Sequence, residues 1–172
     1  MGLPHVLKNY DTFVNGDNFI GQIPEVGLGK IAEKVESYRG GGMLGEVDLS
    51  MGLDKFEVEI KAGGPIRGLL RQFGAVGVGA TLFRFVGAYQ EDVEGGVKAA
   101  ELVVRGRMPE LDPGSAKVGD KSEWSHKITG VYVKWTLGGV KLIEIDWMNC
   151  VYLVDGVDRY AEIRAALGMN GL

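Results

Sequence analysis

Residues 46–62, EVDLSMGLDKFEVEIKA, alternate between apolar and polar side chains with a period of two, interrupted at Gly52–Asp54. The apolar positions are Val47, Leu49, Met51, Phe56, Val58 and Ile60. A period of two is typical of β-strands with one buried face, and a glycine-containing break between two such runs is typical of a turn. The stretch therefore predicts an antiparallel hairpin with one apolar and one charged face.

Similar alternation runs through most of the chain. It predicts four further strands, at Thr81–Gln90, Val97–Arg107, Lys127–Leu137 and Val140–Leu153. Residues 26–38 fit a helical period as well as a strand period, and we favour the strand. The chain is thus expected to be mainly β, with antiparallel strands joined by tight turns.

Two short helices are expected, at about 65–73 and about 158–167, because apolar residues there follow a helical spacing between start and stop signals. No linker divides the chain, so residues 1–172 are predicted to form a single domain. The 28 glycines among 172 residues are roughly twice the usual share of about 7%. They favour many tight turns.

Charge and cysteine content exclude several classes of protein. The formal net charge of −4 argues against a basic surface that grips nucleic acid. Cys150 is the single cysteine, which excludes an internal disulfide and a thiolate metal site. No basic segment followed by an apolar run opens the sequence, so we expect the protein to fold in a cytoplasm.

Gly40, Gly42 and Gly45 match the pattern G-x-G-x-x-G of dinucleotide-binding loops. Such a loop must follow a strand and open a helix, whose N-terminus then faces the pyrophosphate. Here a strand is predicted after the glycines, with no strand–helix alternation around them. The match is interpreted as a flexible turn.

The other residues that could take part in catalysis or bind a ligand or metal occur singly or in pairs. They are Glu144 with Asp146, Ser125 with His126, His5, and Arg105 with Arg107. Adjacent residues of a strand point to opposite faces, which separates Ser125 from His126, and two histidines are too few for a typical zinc site. Two acidic residues at alternate positions of a strand more often form a solvent-exposed face than a catalytic pair. Two arginines in an acidic domain more often form salt bridges than a phosphate site. We expect no catalytic residue, no cofactor and no metal, and therefore not an enzyme.

The hairpin, about 43–63, is flanked by glycines that we interpret as hinges: Gly40, Gly41, Gly42, Gly63 and Gly64. An isolated two-stranded ribbon is marginally stable in water, and both its edges are unpaired. Hairpins of neighbouring copies would complete it, and a repeated addition of this kind closes into a ring or continues as a filament. The alternative, which the sequence leaves open, is that the hairpin folds back on its own domain.

Two sets of side chains follow from that interpretation. Residues expected to pack between subunits are Met43, Val47, Leu49, Met51, Phe56, Val58 and Ile60. The opposite face holds Glu46, Asp48, Ser50, Lys55, Glu57, Glu59 and Lys61.

Several long segments resemble the major tail tube proteins of contractile-tailed bacteriophages, the FII type. The most specific are EKVESYRGGGMLGEVDLSMGLD (33–54), RGRMPELDPGSAKVGD (105–120) and LIEIDWMNCVYLVDGVDR (142–159), supported by GDNFIGQIPEV (16–26) and RFVGAYQEDVEGG (84–96). They occur in the family's order and cover nearly the whole chain. Gly29 stands where the family leads us to expect proline.

The resemblance implies a β-sandwich or barrel with a flanking helix and a protruding hairpin, assembled as hexameric rings that stack into a hollow tube. It implies as partners other copies of the chain, a sheath protein, a tape-measure protein, baseplate and terminator proteins, and DNA that passes without specific binding. It places the protein in the virion, after synthesis in the bacterial cytoplasm. The charged hairpin face would line the bore and repel DNA.

Two other functions remain open at this stage. One is a tube subunit of a phage-tail-like bacteriocin or other contractile injection particle. The other is a monomeric β-barrel that binds a small ligand or oligonucleotide, which the core-like positions of the aromatic residues do not favour.

Overall fold

Strands dominate the structure, a computed structural model in which residues 2–169 are described. In chain order the strands are β1 Val6–Val14, β2 Asp17–Asn18, β3 Glu25–Gly27, β4 Glu33–Tyr38, β5 Val47–Leu53, β6 Phe56–Ala62, β7 Thr81–Gln90, β8 Val97–Asp112, β9 Trp124–Leu137, β10 Val140–Asp146, β11 Val151–Val154 and β12 Val157–Asp158. The helices are α1 Arg67–Leu70, between β6 and β7, and α2 Ala161–Ala166, after β12.

Strand β9 organises the main antiparallel sheet. One of its edges pairs with β8 along nearly its whole length. Its other edge is shared: β6 pairs with residues 124–130 and β10 with residues 132–137. The sheet continues from β8 through β7 and β1, and from β10 through β11 and β12. It therefore divides into two branches beside residue 131.

The core lies on one face of this sheet, because alternate residues of the long strands point the same way. Its fully buried members include Phe56, Val58, Ile60, Phe83, Phe85, Leu102, Val104, Ile128 and Val133. Helix α1 adds Leu69, which is also fully buried. The hydroxyl of Tyr10 donates to the carbonyl oxygen of Ile23 at 2.7 Å and ties the loop before β3 to β1.

The mainly β antiparallel fold with two short helices is confirmed. Strand β7 has the predicted bounds, and β8 and β9 are longer than predicted. The predicted strand Val140–Leu153 is instead two strands separated by a tight turn, in which Cys150 has a φ of 55°. Both helices are shorter than the segments expected for them.

The predicted pairing of residues 46–62 is wrong. Strand β5 pairs with β4, and β6 pairs with β3 and β9, so residues 52–55 do not form a hairpin turn. Instead, β3–β4 and β5–β6 are the two arms of one longer hairpin: Gly27 lies opposite Glu59 and, six residues further along each arm, Glu33 lies opposite Leu53. The root of this hairpin belongs to the main sheet and its outer part projects.

Candidate assembly surface

The projecting part of the hairpin, residues 33–53, is called the ribbon here. It consists of β4, the connecting loop 39–46 and β5, which form a separate two-stranded sheet within residues 2–169. Almost all of its side chains are exposed. Such a ribbon has a row of unpaired backbone groups on each outer edge, and without further burial it is marginally stable.

The two faces of the ribbon differ in chemistry. The register places Tyr38 opposite Val47 and Glu36 opposite Leu49 on one face, and alternation adds Met51 to it. The apolar side chains of this face remain 47–56% exposed. The other face is more polar: the hydroxyl of Ser37 donates to the carboxylate of Asp48 at 3.0 Å. One face is therefore ready for apolar contact that the described chain does not provide.

Gly40, Gly41 and Gly42 lie at the tip of the ribbon and not at its base, so the prediction that they act as hinges is wrong. They form the turn between β4 and β5, where the N–H of Met43 donates to the carbonyl of Gly40 at 3.3 Å and Gly42 has a φ of 82°. No helix follows them, so the match to a dinucleotide loop has no structural basis. Beside them Leu44 is fully exposed.

Gly63 and Gly64 do not hinge the ribbon either. They follow the buried strand β6 and lead to α1, and the N–H of Gly63 donates to the carbonyl of Gln22 at 2.9 Å. The base of the ribbon is held by a different contact, from the N–H of Asp54 to the carbonyl of Ala32 at 2.9 Å.

The set of residues expected to pack between subunits divides into two groups. Phe56, Val58 and Ile60 are at most 1% exposed in the core of their own chain, so their assignment to an interface is wrong. Their strand pairs with β9, which places these side chains beneath the main sheet. The ribbon members, Met43, Val47, Leu49 and Met51, are accessible or half-buried.

The charged set also lies in two places. Glu46, Asp48 and Ser50 are exposed on the ribbon. Lys55 precedes β6, and Glu57, Glu59 and Lys61 lie on the face of β6 opposite the core. Every member of this second group already has a partner: Lys55 pairs with Glu57 at 2.7 Å, Lys61 pairs with Glu25 at 3.3 Å, and Glu59 accepts from Ser125.

A groove of about 640 Å³ separates the ribbon base from β10, β11 and α2. It forms where the sheet divides, and Leu53, Trp147 and Ile163 are among the residues that line it. At its side the Tyr152 hydroxyl donates to Glu33 at 3.4 Å. Burial, and after it the charge of Glu33, raises the pKa of Tyr152 above its usual value. No single segment of sequence indicates this groove, because one wall comes from residues 33–53 and the other from residues 145–163.

The two acidic residues considered as a possible catalytic pair, Glu144 and Asp146, have structural roles. Glu144 accepts from the hydroxyl of Tyr132 at 2.8 Å and pairs with Lys141, whose hydrogen bond is the main cause that lowers the Glu144 pKa. Asp146 accepts from the backbone N–H groups of two residues in the turn that follows β10, each at 2.9 Å. Both carboxylates are therefore engaged in the fold.

The remaining candidates do not come together. His126 is buried in the sheet while the side chain of Ser125 bonds to Glu59, and Arg105 and Arg107 are exposed. Within residues 2–169 no cluster of three histidine, cysteine or carboxylate side chains is placed to hold a metal ion. None of the helices in that range is long and apolar enough to cross a membrane.

Comparison with known proteins relates this chain to a family. A family model described as phage tail tube protein FII matches residues 4–168. The tail tube protein of Escherichia phage P2 is 37% identical over 172 residues, which cover 98% of this chain and all of that protein. The major tail tube protein of Serratia phage KSP20 is 37% identical over 175 residues, which cover 99% of this chain and all of that protein.

Solved structures share the fold at much lower identity. One is the sheath/tube terminator of the PVC extracellular contractile injection system, with a TM-score of 0.56 at 10% identity over 78% of this chain and 97% of that one. Another is a chain of the baseplate of the anti-feeding prophage, with a TM-score of 0.54 at 15% identity over 83% and 100% of the two chains. These likenesses support the architecture alone.

Proposed function

The chain belongs to the phage tail tube protein FII family, a family of structural proteins, and from that membership we propose that its copies form hexameric rings that stack into the inner tube of a contractile tail. The tube is the conduit through which DNA leaves the virion for the host. The protein acts by assembly, without catalysis or a cofactor.

The ribbon is the observation that carries the proposal. Within residues 2–169 its two outer edges pair with no other strand and one of its faces is apolar and half exposed, although the rest of the described chain has a well-formed core. A ring of copies would pair the free edges and cover the apolar face, because the outer edge of β4 in one copy pairs with an edge of the ribbon in the next. The contact is heterologous, and rotation by a sixth of a turn closes it. In the closed ring the ribbons line the bore.

Partners follow from this arrangement and from the relatives. The outer wall meets a sheath protein, as the neighbouring structures of sheath–tube and baseplate assemblies suggest. A tape-measure protein occupies the bore during assembly, and terminator and baseplate proteins bind the two ends. DNA passes without specific binding, because four carboxylates of the ribbon and β6 face the bore: Glu46, Asp48, Glu57 and Glu59. The protein is made in the bacterial cytoplasm and ends in the virion.

Negative-stain microscopy of the purified protein tests the proposal. Hollow rods or stacked rings with six-fold end views are expected. Particles that stay at the size of one chain at every concentration would contradict it and would favour the monomeric ligand-binding barrel.

A tube without a genome is the second candidate, since the structural neighbours come from extracellular contractile injection systems. The surface of the subunit is compatible with a phage tail and with an injection particle that carries no genome. The presence or absence of capsid genes beside the gene for this chain separates the two.

A further inference from the structure

An exposed loop without any polar side chain follows α1. Residues 73–80, FGAVGVGA, are called the apolar loop here. Phe73 is 51% exposed, Val78 45% and Val76 98%, and glycines at positions 74 and 77 hold positive φ values of 72° and 105°. Exposed loops are usually rich in polar residues, and an exposed apolar patch marks a contact with another molecule.

An open trough of about 500 Å³ lies elsewhere on the molecule. Its walls include Tyr89, Ala100, Trp135, Leu137 and Ile143, with Lys98 and His5 also lining it. Along β8, Ala100 has the same parity as the buried Leu102 and Val104, so the trough continues the core face of the sheet. Nothing in residues 2–169 fills it.

The apolar loop and the trough lie at opposite ends of the same sheet. The loop leads into Thr81, the first residue of β7, whereas Tyr89 in the trough is next to the last. Eight residues of extended strand span about 27 Å. The two features are displaced along the strand direction, so the loop does not occupy the trough of its own chain, and a second copy displaced along that direction would bring its loop towards the trough.

We propose that the apolar loop of each subunit seats in the trough of the subunit above or below it, as the axial contact between rings. This inference rests on the proposed function, because it concerns rings that stack. It differs from the ribbon contact, which joins subunits within a ring. The partner is a second copy of this chain, and two facts favour it: each copy carries both halves of the contact, and the loop carries no charge that would have to be desolvated in the trough.

The substitution Val76→Asp tests the contact. Because Val76 is almost fully exposed, the monomer is expected to keep its melting temperature. Rings are expected to form while the protein concentration needed for stacking rises at least about tenfold, the equivalent of losing one buried valine and burying a charge instead. The matched control is Val157→Asp, another exposed valine, 51% accessible, on β12 at the far edge of the sheet. It is expected to stack normally.

Outcomes for this inference and for the proposed function are distinct. Single rings from Val76→Asp support the axial contact. Normal tubes from that variant, or tubes lost equally from Val157→Asp, overturn it and leave the ring and the ribbon untouched. If the unsubstituted protein forms neither rings nor tubes, the proposed function fails and the axial contact with it.

Cross-linking identifies the two surfaces directly. In a Cys150→Ser background, Val76→Cys is combined with Leu137→Cys in the trough, and assembled protein is treated with a short bis-maleimide. Columns of linked chains that lengthen with the tubes are expected on a denaturing gel. The pair Val157→Cys with Leu137→Cys is expected to give none. Assembled tubes in which the first pair gives no more cross-linking than the second overturn the inference.

Discussion

At the scale of single residues, two glycines allow β8 and β9 to approach closely. Gly106 lies opposite Gly130 at a register shift, and a Cβ on Gly106 would lie 2.0 Å from the carbonyl oxygen of Thr129. Backbone atoms there cannot move without disturbing the sheet. Gly106→Ala is therefore expected to lower the free energy of unfolding by about 2 kcal/mol or more.

Chemical denaturation of the monomer measures this loss. Gly41→Ala at the ribbon tip serves as the control, because no atom lies within 4 Å of a Cβ added there, and it is expected to change stability by less than about 0.5 kcal/mol. Equal effects of the two substitutions would show that the β8–β9 approach is not tight.

His126 makes the stability of the fold depend on pH. It is fully buried and neither ring nitrogen has a hydrogen-bond partner among residues 2–169, and burial lowers the pKa of its imidazole below the ordinary value. The folded state resists protonation of this ring. The contribution of His126 to the free energy of unfolding is therefore complete at pH values above about 6.5, the pKa in the unfolded state, and is lost as the pH falls below that value. His126→Leu is expected to flatten the dependence of unfolding free energy on pH between about 7 and 5.5, where the maximal slope for one group is about 1.4 kcal/mol per pH unit.

Urea unfolding at several pH values checks this prediction. His5→Gln, at an exposed position, is the control and is expected to keep the slope of the original protein. If the pH dependence persists in His126→Leu and disappears in His5→Gln, His126 is not its source.

At the scale of elements, sequence alone predicts where strands lie better than how they pair. Apolar residues of β5 occupy odd positions such as Leu49, and those of β6 occupy even positions such as Val58. A hairpin turn and a change of face within one continuing arm both produce this reversal. The structure adopts the second, because β6 gains the edge of β9 and complete burial of its apolar side. Pairing of this kind is decided by distant residues, which a local pattern does not contain.

The two halves of the stretch 46–62 should therefore respond differently to the same change. Leu49→Lys places a charge on the half-exposed ribbon face, and it is expected to leave the monomer folded while tubes fail to form. Val58→Lys places a charge in the core, and it is expected to destabilise the monomer by several kcal/mol. Thermal unfolding followed by microscopy separates the two effects. Normal tubes from Leu49→Lys would mean that the apolar face of the ribbon is not a subunit contact.

At the scale of the whole molecule, the candidate site is partly visible in the sequence. The accessible residues of the ribbon, such as Val47 and Leu49, were predicted to belong to an assembly element, which stays a prediction; they lie on a two-stranded sheet that pairs with no other strand within residues 2–169. Strand β4, the groove at the ribbon base and the trough were not predicted as parts of a site. The groove and the trough are each built by residues that are far apart in the chain, and the division of the sheet beside residue 131, where the groove forms, is a property of the complete fold.

The proposed bore lining is shared between the ribbon and strand β6 of the main sheet, so its electrostatic role can be tested in two parts. Duplex DNA carries about one negative charge per 1.7 Å of its axis, and an acidic wall repels it over a screening length of about 8 Å at physiological salt. Glu46 and Asp48 have no ion pair with a basic side chain among residues 2–169, whereas Glu57 pairs with Lys55. We therefore expect Glu46→Lys with Asp48→Lys to slow DNA release severalfold at low salt, and Glu57→Gln with Glu59→Gln to slow it less.

Release is followed with a DNA-binding dye on particles that contain each variant, after microscopy has shown normal tails. The difference from the original protein is expected to shrink as salt is added, because screening shortens the reach of the wall charges. Lysine at both Glu94 and Glu162, which lie outside the ribbon and β6, makes the same change in net charge and is expected to leave release unchanged. Unaltered release from the ribbon variant at low salt would show that these carboxylates do not act on passing DNA, whether or not they face the bore.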